Sequence, residues 1–224
     1  MRNVLVTGAN GQIGSDLLTT LRARYGAEHV IGADLSLPQG DLDGPHEIVD
    51  VTDADRMKAL VEQYDVGIVY HLASLLSARG EQMPDVAWNV NMNGLKHLLD
   101  LSVAYNFRMF WPSSIAVFGP QTPRINTPQH TILDPLTIYG VTKRGLDVRS
   151  IRYPGLISFA APPGGGTTDF SIGMLRAAAE GTTYTCFVRP ETQLPMMYMP
   201  DAVKAVVDLM DAPDNAIGVR TSYN

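Results

Sequence analysis

Tyr139 and Lys143 stand four residues apart in LTIYGVTK (Leu136–Lys143), the spacing that sets two side chains on one face of a helix. Upstream, a serine pair, Ser113–Ser114, ends a strand-like run in PSSIAVFG. Together these residue types suit oxidation of a secondary alcohol. The hydroxyl must lose its proton as a hydride leaves the carbon, and a tyrosine with its ordinary pKa near 10 is a poor base at neutral pH. An ammonium one turn away favours the phenolate and lowers that pKa. The same lysine can hold a cofactor ribose, and a serine hydroxyl can donate to the developing carbonyl oxygen. No metal is needed. Taken singly, a serine pair is most often a turn or cap, and a Tyr-x-x-x-Lys spacing is common by chance.

Such residues need a cofactor platform, and VTGANGQIG (Val6–Gly14) reads as one. Gly8, Gly11 and Gly14 follow a strand and open an amphipathic helix, so the backbone can approach a pyrophosphate at a helix N-terminus. Asp34 ends the second strand about twenty residues further on. A carboxylate there accepts hydrogen bonds from both ribose hydroxyls of NAD and repels a 2′-phosphate; the bland reading is a turn residue before Ser36 and Pro38. Asp50 and Val51 follow the next strand, either at an adenine or as the cap of the helix beginning near Asp53. The candidate NAD contacts are Gly8, Asn10, Gly11, Gln12, Ile13, Gly14, Asp34, Asp50, Val51, Leu72, Ala73, Tyr139, Lys143, Tyr153 and Pro154.

Short β-branched runs alternate with amphipathic stretches, which predicts an α/β fold: a Rossmann-type, doubly wound parallel sheet. Strands are expected at 3–7, 29–33, 48–50, 66–71, 108–113, 148–153 and 184–187, and helices at 12–25, 53–63, 84–105, 171–180 and 202–210. The Pro/Gly stretch APPGGGTTD (Ala161–Asp169) divides the chain into an NAD-binding domain, residues 1–160 with strand 148–153, and substrate-lobe segments, 161–224, interleaved with the end of the sheet.

The 224 residues carry a net charge of −6 with no Lys/Arg run, which argues against nucleic acid or an anionic membrane as partner. A single cysteine, Cys186, excludes an internal disulfide framework, and no Cys/His spacing reads as a zinc site. The early strand VLVTG is too short for a signal peptide and no run reaches membrane-spanning length, so a cytoplasmic protein is expected.

The set TGxxGxxG, second-strand Asp, SSIAVFG and YGVTK resembles the extended short-chain dehydrogenase/reductase superfamily. More narrowly, SLLSARGE (Ser74–Glu81), WNVNMNGL (Trp88–Leu95), RSIRYPGLIS (Arg149–Ser158), PPGGGTTDF (Pro162–Phe170) and LPMMYMPDA (Leu194–Ala202) resemble the epimerase-like bacterial L-threonine 3-dehydrogenases. That resemblance covers most of the chain. It implies that NAD oxidises the 3-hydroxyl of L-threonine to 2-amino-3-oxobutanoate, with Ser114, Tyr139 and Lys143 as the catalytic trio. It further implies that Asn91 supports the lysine through backbone and water, that Ser74, Thr167 and Thr168 join Ser114 and Tyr139 at the substrate, and that the enzyme is a homodimer. The bland alternatives are a polar helix face for Asn91, a capping segment for Ser74–Ser77 and a surface loop for GGGTTD. Met196, Met197 and Met199 read as core or dimer packing, and His71 as a core histidine or a wall of the cofactor groove. On the same scaffold stand two other functions, a nucleotide-sugar epimerase or dehydratase and a non-catalytic NAD-binding regulator.

One spacing conflicts with this reading. Between Lys143 and Val148 lie four residues. A helix returning along a strand of roughly 17–20 Å needs on the order of a dozen residues at about 1.5 Å each. Three accounts are open: an internal deletion in the gene product, a chain cut deliberately, or a written sequence that joins segments across omitted residues. The last is favoured because a deletion inside the helix would leave Lys143 poorly held; a measured mass equal to 24.4 kDa counts against it. The resemblance also implies a helical substrate lobe continuing past TSYN.

Overall fold

A computed structural model describes residues 2–39, 43–143, 149–159, 166, 168–218 and 222–224. The chain begins with strand β1 (Asn3–Thr7) and helix α1 (Gln12–Tyr25), followed by β2 (Val30–Asp34), β3 (His46–Ile48), α2 (Ala54–Gln63) and β4 (Val66–His71). Next come α3 (Ser77–Gln82), α4 (Pro84–Trp88), α5 (Gly94–Tyr105), β5 (Arg108–Phe110), β6 (Ser113–Ser114) and α6 (Ile138–Thr142). The remainder is β7 (Ser150–Tyr153), β8 (Gly155–Ile157), α7 (Phe170–Glu180), β9 (Met196–Tyr198), α8 (Met199–Asp211) and β10 (Ser222–Tyr223).

All pairings among these strands are parallel. The central sheet runs β3-β2-β1-β4-β5. A bridge between Phe110 and Arg149 carries it on to the set β6-β7-β10, while β8 and β9 form a separate pair. The order reverses between β1 and β4, and a crevice for ligands forms outside the strand carboxyl ends at such a point.

Both faces of the sheet are covered. Leu17, Leu18 and Leu21 of α1 and Val203, Val206 and Met210 of α8 pack with Val4, Val6 and Tyr153 on one face. Met57 and Leu60 of α2 and Leu95 and Leu98 of α5 pack with Leu5, Val69 and Trp111 on the other. Each such aliphatic side chain removed from water contributes about 1.5–3 kcal/mol. This is the doubly wound α/β arrangement expected from the sequence.

Four expected elements differ, the first being the strand expected at 48–50, which lies at His46–Ile48. The predicted 84–105 helix is interrupted by a π turn at Asn89–Asn93. The predicted 108–113 strand divides into β5 and β6 where it changes partner from β4 to β7. Tyr184–Phe187, an aromatic and β-branched run, has no strand beside it among the described residues and is irregular, with Phe187 exposed.

Candidate active site

The turn after β1 forms a close backbone cradle. Gly8 has φ +69°, and a Cβ there would lie 2.6 Å from the Ala73 nitrogen, so β4 and the glycine turn meet backbone to backbone. A Cβ on Gly14 would collide with the Gly8 carbonyl oxygen. Gly11 precedes α1 as its N-cap without a side-chain hydrogen bond to close the helix end. The neighbouring Gln12 has a buried Nε2 with no protein partner, and Ile13 packs on the core.

Asp34 faces this turn from the end of β2. Its two carboxylate oxygens accept from Asn10 N at 2.9 Å and Leu35 N at 2.7 Å, while Asn10 Nδ2 donates to Ser36 O. Asp50 closes its own turn, accepting from Thr52 N and Oγ1 at 2.9 and 2.8 Å; the cap of α2 is Asp53, which accepts from Arg56 N. Val51 is buried, and a Cβ on Gly94 would lie 2.9 Å from its side chain.

The chemical end lies beyond β4, β6 and α6. Helix α6 is fixed at its start by two caps: Thr137 Oγ1 accepts from Gly140 N at 3.0 Å, and Glu81 Oε1 accepts from Ile138 N at 2.6 Å. Gly140 has no room for a Cβ against the Ala116 carbonyl, so α6 lies directly on the turn after Ser114. That contact brings Ser114 close to Tyr139, where the serine hydroxyl favours the phenolate; Ser114 Oγ also accepts from Ala116 N at 3.2 Å. Tyr139 is partly exposed, yet its dense surroundings push its pKa up to about 12, against the lowering effect of the nearby Ser114 hydroxyl.

Lys143 is almost completely buried, and burial pulls its pKa down to about 7. Its Nζ lies 4.8 Å from the Trp111 ring centroid and 5.7 Å from that of Tyr139. The expected lowering of the tyrosine pKa by this lysine is not realised, because the ammonium lies over ring faces and burial dominates at the phenol.

Asn91, raised inward by the π turn, uses its whole amide. Its Oδ1 accepts from Leu75 N at 2.8 Å and Ser74 Oγ at 3.1 Å, and its Nδ2 donates to Leu75 O and Thr142 Oγ1, both at 3.1 Å. The side chain thus holds the residue before Lys143. Ser74 is engaged in the same cluster. His71, fully buried, bonds Thr7 Oγ1 through Nδ1 at 2.8 Å, its Nε2 has no partner, and burial drops its pKa to about 3.

Some expected residues are not brought together with these. Leu72 N donates to Thr7 O beside the glycine turn, but Tyr153 is buried against α8, its hydroxyl donating to Ala202 O at 2.9 Å. Thr168 sits beside Gly155 of β8, and Thr167 lies outside the described residues. Pro154 and Ile115 border a cavity of about 840 Å³ whose wall also carries Arg124 and Arg152. Sequence reasoning missed Trp111 and these arginines, and it named Ser113 with Ser114 as a pair but gave only Ser114 a role; the aromatic residue two positions before the pair was the available signal. Among the described residues no group of three or more His, Cys, Asp or Glu could hold a metal ion, and no helix is long and apolar enough to cross a membrane.

A family model for NAD dependent epimerase/dehydratase proteins matches residues 4–224. The chain belongs to that family. NAD is its cofactor, and the residues present fit it: a glycine cradle with no space for side chains, an orphaned Gln12 amide at the open N-terminus of α1, and a carboxylate at the end of β2. An uncharacterised epimerase/dehydratase of Staphylococcus aureus (strain USA300) is 43% identical over 240 residues, covering 100% of this chain and 75% of that protein. The alignment is longer than the 224-residue chain, so the relative carries residues opposite gaps here. Residues 144–148, on which the expectation of a shortened helix bears, lie outside the described residues.

Solved structures similar to the chain include two L-threonine dehydrogenases. A partial consensus L-threonine 3-dehydrogenase has a TM-score of 0.95 at 45% identity, over 99% of this chain and 76% of its own. The holo form of a GalE-like L-threonine dehydrogenase from Cupriavidus necator has a TM-score of 0.93 at 43% identity, over 99% and 77%. Family and neighbours together support NAD-dependent redox chemistry on a small-molecule substrate.

Proposed function

We propose that the chain oxidises the 3-hydroxyl of L-threonine to give 2-amino-3-oxobutanoate. The observation that carries this reading is the seating of α6 directly on the turn after Ser114, which sets Ser114, Tyr139 and Lys143 side by side near a glycine cradle, in a chain 43–45% identical to L-threonine dehydrogenases. NAD, when bound, supplies the hydride acceptor. Ser114 donates to the substrate oxygen and orients it. Tyr139 takes the hydroxyl proton as the phenolate, which the Ser114 hydroxyl favours, and Lys143, one turn further on, would hold the cofactor ribose. With the phenol near 12, the phenolate fraction rises about tenfold per pH unit below that value, so turnover climbs with pH through the neutral range. Arg124 and Arg152 in the adjoining cavity supply charge for a carboxylate. The substrate role of Thr168, and a homodimer, belong to the same proposal; exposed Met83, Trp88, Leu136 and Val141 lie on or beside α4 and α6 and offer an apolar patch for it.

The test is NADH formation at 340 nm from NAD and L-threonine, with Tyr139→Phe alongside. Turnover in the parent and a loss of about a thousandfold in the variant is expected. A second reading, nucleotide-sugar epimerisation, is favoured by the cavity, which is several times larger than threonine needs. An epimerase returns the hydride to its substrate, so absence of net NADH with a sugar nucleotide turned over would replace the first reading by the second. NAD binding without turnover of either would leave a regulator.

A further inference from the structure

Helix α6 spans five residues and stops at Thr142; Lys143 leaves it with φ −97° and ψ 3°. Its N–H still bonds back to Tyr139 O at 3.0 Å. A carbonyl in the last turn of a helix has no partner within the helix. Here the buried hydroxyl of Ser113 donates to Lys143 O at 2.7 Å. Ser113 is itself anchored: its N–H donates to Ser150 Oγ at 3.1 Å, and Ser222 Oγ donates to the same oxygen at 2.9 Å. All three serines are buried, so a line of hydroxyls runs from β10 through β7 to β6 and ends on the main chain of Lys143.

The side chain of Lys143 is held differently. Its ammonium contacts the rings of Trp111 and Tyr139, an attraction that is broad in direction. Where the Nζ sits is therefore set largely by where the backbone places its Cα. Trp111 lies two residues before Ser113, and residues at that separation face the same side of an extended strand. One stretch of chain thus grips the lysine twice, by its carbonyl and by its ammonium.

We propose that Ser113 is a positioning residue for Lys143, fixing the lysine where its helix ends; the inference rests on the role given to Tyr139 and Lys143 above. Lys143 is held at the end of α6 because the strand supplies the partner for its carbonyl. Ser113 acts through Lys143 and does not touch the reacting atoms.

The test compares Ser113→Ala and Ser113→Cys with Ser222→Ala in the full chain. The cysteine keeps the volume with a weak donor. Ser222→Ala removes a buried hydrogen bond at the far end of the same line without touching Ser113 or Lys143. The readout is the titration of Lys143, followed by NMR with lysine labelled at 13Cε; the chain has four lysines, and Lys143→Met identifies the signal. In Ser113→Ala the midpoint is expected to rise from about 7 toward the ordinary lysine value by about one pH unit or more, with a smaller rise in Ser113→Cys and none in Ser222→Ala. With L-threonine and NAD, kcat in Ser113→Ala is expected to fall about tenfold while the threonine KM stays within about twofold. A midpoint unmoved in both Ser113 variants, or moved equally in Ser222→Ala, overturns the proposal. If the parent turns over no threonine, the functional reading fails alone and the titration still decides the role of Ser113.

Discussion

Lys143→Met isolates the cost of burying an ammonium. The lysine is 2% exposed, and burial holds its pKa at about 7 in the fold against 10.5 when exposed. Between those values the unfolded chain binds a proton that the folded chain does not, so stability rises with pH across that window. It is fully recovered above the unfolded value and lost as pH falls through the folded one. At about 1.36 kcal/mol per pH unit the whole span is worth about 5 kcal/mol, of which about 3 kcal/mol falls between pH 6 and pH 9.5. Methionine fills a similar volume, carries no charge and keeps an apolar stem against Trp111.

Urea unfolding of parent and variant at a series of pH values is the assay. Other titrating groups act in both proteins, and the difference between the two curves cancels them. Lys143→Met should be the more stable protein at pH 6, and its advantage should shrink by about 3 kcal/mol by pH 9.5. Staying below pH 10 keeps Tyr139 out of the window: its raised pKa adds stability that is lost only as pH climbs from 10 toward about 12. Two parallel curves would refute the reasoning, since they would mean that Lys143 keeps its proton in the fold as easily as in water.

The cofactor end gives two further expectations. Gly14→Ala places a methyl against the Gly8 carbonyl, so NAD binding measured by fluorescence titration should weaken more than tenfold, a loss above about 1.4 kcal/mol, while the far side of the sheet stays folded by circular dichroism. Asp34→Ala removes the carboxylate that faces the glycine turn and frees the N–H groups of Asn10 and Leu35; the ratio of NAD to NADP affinity should fall by at least about tenfold, and an unchanged ratio would remove Asp34 from cofactor choice.

The parts of this fold legible in sequence are those where one residue type meets one local need. The glycines of VTGANGQIG announce a turn that no side chain fits, and β1 and α1 have the residue limits expected from the pattern around them. Long-range requirements were hidden. The π turn at Asn89–Asn93 keeps a helical hydrophobic pattern, so nothing local marks the extra residue; what it serves is Asn91, whose amide reaches Leu75 and Thr142 from a distant part of the chain. Tyr184–Phe187 has strand-forming residues, but a strand needs a neighbour, and none of the described strands lies beside it.

The same distinction separates Ser114 from Ser113. Both belong to one short motif, and the chemistry of alcohols singles out the serine that reaches the tyrosine. The other faces inward, where its value depends on a carbonyl thirty residues later at the end of a helix too short to look after its own last turn. Asn91 and Glu81 act alike, one on Thr142 and one on Ile138, so a five-residue helix is fastened at both ends by side chains from elsewhere. Isolated helices of that length are unstable in water. The geometry of Tyr139 and Lys143 is therefore a property of the sheet and its loops more than of the helix that carries them, and substitutions that disturb it should map to β6, the π turn and α3 as readily as to α6 itself.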